Sequence, residues 1–88
     1  MLHLSLPRPN ALDERIAIIE KKIEGGAVRG DLSKREYSRL RPQLAVVKYK
    51  SAKMEKDGVT EQAYRDLEHY LRGLEKDTDR LLNSFHRR

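Results

Sequence analysis

Apolar side chains recur along most of this chain at steps of three and four, the spacing that lines one face of a helix. Leu12, Ile16, Ile19 and Ile23 form the first stripe. Tyr37, Leu40, Leu44 and Val47 form a second, continued by Ser51 and Met54. Tyr64, Leu67, Leu71 and Leu74 form a third, continued by Thr78, Leu81 and Phe85. The second and third stripes keep a heptad rhythm without a slip, which predicts long helices packed in a coiled-coil-like way. Three stripes of this kind bury one another as a bundle. The expected fold is all-α, a three-helix antiparallel bundle dominated by a long hairpin of the second and third helices.

Polar residues punctuate the stripes. Asn10 suits an N-cap, and Asp13 and Glu14 favour the start of a helix electrostatically. The first helix is expected over about residues 11–29. Gly25 and Gly26 interrupt it, each costing about 1 kcal/mol against Ala in a helix interior. They either stop the helix or let a neighbouring helix come close. Continuation to Arg29 is the favoured reading, with Gly30 as a left-handed stop. Ser33-Lys34-Arg35-Glu36 reads as a capping box, with Leu32 and Tyr37 as its hydrophobic staple. The second helix is therefore expected over 34–56. Pro42 lies inside it, predicting a kink, with a break near Arg41 as the competing outcome. Asp57-Gly58 marks a turn. Thr60 then caps a third helix over 61–86, with Val59 and Tyr64 as a second staple. The first nine residues, MLHLSLPRP, stand apart from the helical domain of 10–88. Their leucines alternate with polar residues, and Pro7 and Pro9 oppose a regular helix. A flexible arm is expected, or else a segment that pairs with a partner or covers a core edge.

The second and third helices are related by a constant shift that carries Tyr37 onto Tyr64, Leu40 onto Leu67 and Leu44 onto Leu71. Two copies are too few for a solenoid. Ile23-x-x-Gly26-x-x-x-Gly30-x-Leu32-Ser33-x-x-Glu36, a long helix, then Asp57-Gly58-Val59-Thr60 follow one another in order. This resembles small bacterial all-helical proteins of uncharacterised function that carry a G-x-x-x-G-x-L-[ST]-x-x-E turn and a D-G-x-[LV]-[ST] turn. The resemblance spans about residues 12–85. It implies helical hairpins and no particular activity. The chain departs from that pattern at Pro42 and at Ala63, where a second capping acid would stand.

Candidate chemistry is sparse. The chain has 88 residues with neither Cys nor Trp, which excludes disulfides and cysteine-based zinc sites. No apolar run approaches a membrane span, and no secretory leader is read, so a cytoplasmic protein is expected. His3, His69 and His86 are scattered and form no metal pair. A calcium loop counted from Asp57 would place Val59 at its third position and Gln62 where its glycine belongs, so calcium is not expected. Gly25-Gly26 is not followed by the Lys-[Ser/Thr] of a phosphate loop. No carboxylates or nucleophiles converge in the pattern, so neither an enzyme nor a cofactor is expected.

Charge changes the picture more. The net charge is +5, with 19 basic against 14 acidic residues. Lys34–Asp57 carries all of that excess, eight bases against three acids, while the other two helices are balanced. A helical wheel turns Arg35, Arg39, Lys50 and Lys53 away from the seam, together with Val46 and Tyr49. A tyrosine among bases suits an interface anchor or base stacking. Arg35, Arg39, Val46, Tyr49, Lys50 and Lys53 are the candidate partner-binding residues. The expected function is that of a small adaptor, inhibitor or regulator docking this face on an acidic protein surface. The alternative is non-sequence-specific nucleic-acid binding through the same face. A third reading is a structural homo-oligomer subunit. A short first helix would leave Leu81, Leu82 and Phe85 uncovered at one end, where a homodimer could form.

Overall fold

The computed structural model describes the backbone of residues 9–86 and the side chains of residues 12–83. The expected arm lies outside the described backbone except for Pro9, and the side chains of Phe85 and His86 lie outside the described residues. Three helices follow one another: α1 (Pro9–Arg29), α2 (Lys34–Asp57) and α3 (Glu61–His86). Among the described residues there is no strand. Each helix packs on the other two, and the fold is an all-α three-helix bundle.

α1 begins two residues earlier than expected, at Pro9 rather than after an Asn10 cap. Proline is suited to the first helical position. Its fixed φ is already helical, and its missing N–H would have no partner there. Asn10 is thus inside the helix. α1 runs through both glycines to Arg29 and stops at Gly30, whose φ of 84° lies in the left-handed region. The Leu32 N–H then donates to the Gly26 carbonyl at 3.1 Å and turns the chain back.

The capping box at α2 is complete. The Glu36 N–H donates to Ser33 Oγ at 3.1 Å, and the Ser33 N–H donates to Glu36 Oε1 at 2.9 Å. α2 continues unbroken through Pro42. Pro42 and Ser38, whose carbonyl loses the usual backbone donor to the proline, are both exposed residues, so the proline costs no core packing. Gly58, with φ 101°, ends α2 by donating to the Met54 carbonyl at 2.9 Å. Thr60 Oγ1 then accepts from the Ala63 N–H at 3.1 Å and opens α3.

The three stripes meet in one core. Leu12, Ile16, Ile19 and Ile23 come from α1, Leu40, Leu44, Val47 and Met54 from α2, and Leu67, Leu71 and Leu74 from α3. Thr78 is fully buried, and its hydroxyl donates to the Leu74 carbonyl at 2.8 Å, so the core holds no orphan polar group there.

Contacts between helices set the directions. Asp13 lies against Ser51, Glu20 against Lys48 and Glu24 against Tyr37, so α1 and α2 are antiparallel. Arg15 reaches Glu68 and Glu75, and Lys22 reaches Asp79, so α1 runs parallel to α3. This corrects the expected bare end at Leu81 and Leu82, while the Phe85 side chain lies outside the described residues. The C-terminal turns of α1 lie level with Leu82, and Gly26 lets Leu82 and Leu32 close over its missing side chain. Leu81 and Leu82 are half-buried against the core.

Candidate functional site

α2 carries the basic excess, and the bundle sorts its side chains into two groups. Lys48 and Lys50 stand on the flanks and are committed to neighbouring helices. Lys48 Nζ lies 2.8 Å from Glu20 on α1. Lys50 Nζ lies 2.7 Å from Asp66 on α3 and 5.9 Å above the Tyr70 ring. Lys50 is therefore half-buried and bridges α2 to α3, although the wheel turned it outward. Its long stem carries the charge to an acid that a single-helix wheel does not contain.

The outer face is different. Arg35, Arg39, Lys53 and Lys56 are exposed, and among the described residues none has a carboxylate within ion-pair distance. Tyr49 is 66% exposed between them, and Val46 beside it is half-buried. The face brings together five of the six candidate residues and leaves Lys50 at its edge.

Elsewhere most interhelical charge is spent within the bundle. Arg15 binds Glu75 at 2.6 Å and Glu68 at 3.4 Å, and Lys22 binds Asp79 at 3.2 Å. Hydrogen bonding to Glu75 raises Arg15 further, so its charge is permanent. The Arg72 guanidinium, 2.6 Å away, holds the Glu68 carboxyl below the usual carboxylate range, with Arg15 adding to the effect. The Tyr37 hydroxyl donates to both Glu24 oxygens at 2.9 and 3.0 Å, and that bond pushes its phenol up. Arg41 lies 5.8 Å above the same ring.

One feature was missed by reading charge alone. The outer face has its own heptad rhythm: Arg35, Arg39, Pro42, Val46, Tyr49, Lys53 and Lys56 follow at alternating steps of four and three. Bases occupy both ends, and Pro42, Val46 and Tyr49 occupy the middle. Ala45 and Ala52, both exposed, stand beside this middle section. The signal was present in the sequence, but only as the period of a polar face. A shallow depression lined by Ser38, Arg41, Pro42 and Ala45 opens on it. A cleft of about 330 Å³ at the α2–α3 turn lies beside Lys53 and includes Met54, Thr60 and Asp66.

Among the described residues, no three His, Asp or Glu side chains converge to hold a metal ion. The Asp57-Gly58-Val59-Thr60 segment forms helix caps. Among the described residues, no helix is long and apolar enough to cross a membrane. Compared with protein-family models, curated proteins and solved structures, the chain finds no match in any of the three.

Proposed function

We propose that this chain is a small helical binding module, an adaptor or inhibitor that docks the outer face of α2 on an acidic protein surface. The observation that carries this reading is Tyr49, 66% exposed on a stripe with Arg39 and Lys53, neither of which has a carboxylate within ion-pair distance among the described residues. A large aromatic held on a rigid helix loses little entropy on burial and is a preferred interface anchor. The arrangement of the face supports a protein partner over nucleic acid. Its middle is apolar and its charges stand at the ends, which matches the apolar centre and polar rim of protein interfaces. Nucleic-acid binding favours bases tracking the phosphates continuously, with aromatics interleaved.

The test is a selection of random displayed peptides on the immobilised chain. Peptides rich in Asp and Glu with apolar residues should be enriched, and they should fail to bind the Arg39→Glu/Lys53→Glu variant. Enrichment without acidic bias, or equal capture by the variant, contradicts the reading. Duplex DNA, single-stranded DNA and RNA belong in the same experiment across a salt series. Micromolar binding retained near about 0.15 M salt and lost in Tyr49→Ala would replace this reading with the nucleic-acid one.

A further inference from the structure

We infer that the element seated on α2 is a single acidic amphipathic helix laid along the Arg35–Lys56 stripe. This rests on the proposed binding role and specifies its partner. The stripe is a heptad-spaced row of side chains along one helix that is continuous from Lys34 to Asp57. Such a ridge packs against another helix with the same repeat. It offers no sheet edge, so an extended peptide would find no backbone ladder to join.

The spacing of the ridge defines what fits. Pro42, Val46 and Tyr49 supply an apolar middle two turns long. Arg39 and Lys53 bracket it two heptads apart, about 21 Å along the helix axis at 1.5 Å per residue. The complement is a helix with apolar residues at alternating steps of four and three and carboxylates two heptads apart. Exposed Ala45 and Ala52 beside the ridge leave room for its backbone to come close.

Charge excludes a second copy of the chain from this seat. Laid antiparallel, two such ridges would set Arg35 and Arg39 against Lys53 and Lys56. Laid parallel, each base would face itself. In both cases bases meet bases, and like charges juxtaposed at an interface oppose association.

Two synthetic peptides of identical acidic composition, each about 21 residues and so matched to the ridge length, test the inference. One carries leucines at alternating steps of four and three, with glutamates two heptads apart. The other spreads the same leucines around the helical wheel. Calorimetric titration against the full chain should show the patterned peptide binding at least about ten-fold tighter. Circular dichroism should show it gaining helix on mixing. Arg39→Glu/Lys53→Glu and Tyr49→Ala should each weaken it by about ten-fold or more while the chain keeps its helical content. Equal binding of the two peptides, both sensitive to Arg39→Glu/Lys53→Glu, overturns the helix while leaving an acidic-partner role intact. Binding of the patterned peptide unchanged by the variants, or binding of neither peptide, also overturns it. The role itself is then judged by the displayed-peptide selection.

Discussion

Gly25 and Gly26 are neighbours in α1 with different surroundings, and replacing each by alanine should move stability in opposite directions. The shared gain is helix propensity, about 1 kcal/mol for Ala over Gly. At Gly25 an added Cβ would lie 2.9 Å from Arg29 Nη1, the tip of a flexible and exposed side chain. That tip swings aside at the cost of its surface pairing with Asp31, a kind of contact worth at most about 1 kcal/mol. Gly25→Ala should therefore stabilise by about 0.5 kcal/mol. At Gly26 the added Cβ would lie 3.0 and 3.1 Å from Leu32 Cγ and Cδ1, and 3.2 Å from Leu82 Cδ2. Leu32 is buried, and its N–H is bonded to the Gly26 carbonyl, so it cannot retreat without opening the α1–α2 turn. Overpacking of this kind costs about 1–3 kcal/mol, more than propensity returns. Gly26→Ala should lose about 1 kcal/mol, and the branched Gly26→Val more. For a domain of this size each kcal/mol shifts Tm by about 4–8 °C, so the two alanine variants should melt well apart. Urea and thermal unfolding followed by circular dichroism measure the difference. A Gly26→Ala protein as stable as Gly25→Ala would refute the close packing of Leu32 and Leu82 on Gly26.

Other substitutions probe caps and charges. Ser33→Ala should cost about 1 kcal/mol in urea unfolding by removing the acceptor for the Glu36 N–H; no loss would mean that the cap contributes nothing. Lys50→Glu should lower stability by about 1 kcal/mol because it sets a carboxylate against Asp66, whereas Lys53→Glu should stay within about 0.5 kcal/mol of the parent. Equal effects would contradict the division of α2 into committed flank and free face. The Glu68 carboxyl is depressed by Arg72 and Arg15 in the folded chain. Its contribution is therefore present above the unfolded value of about 4.3 and is lost as pH falls through the lower folded value. Tm should fall as pH is taken from about 5 to 3, and Glu68→Gln should flatten that fall. A steeper fall in the variant would reverse the assigned sign.

The architecture was legible wherever its cause is local. Leu40, Leu44 and Val47, and likewise Leu67, Leu71 and Leu74, repeat at helical steps because one face is buried, and all six are core. Ser33 with Glu36, and Thr60, mark helix starts because a cap needs its own oxygen within three residues of the N–H it accepts from. Pro9 misled because the same ring that blocks a helix interior opens a helix end. The parallel course of α1 and α3 follows from two short reversals, at 30–33 and 58–60, each with a local cause. Which side chains then meet had none: Arg15 and Lys22 pair with acids more than fifty residues away, and only the glycine pair hinted that another side chain comes close. The outer face was partly legible. A wheel separates Tyr49 and Lys53 from the seam. It places Lys50 wrongly because the destination of a long side chain is set by an acid on another helix.

The outer stripe of α2 is the proposed partner surface. Its most direct test is a nuclear magnetic resonance titration of the isotope-labelled chain with the patterned acidic peptide near about 0.15 M salt. Backbone amide shifts should concentrate at Arg39, Val46, Tyr49 and Lys53, with the core-facing and α1–α3 positions still. Shifts centred on the α1–α3 face, or none in α2 at saturating peptide, would contradict the account.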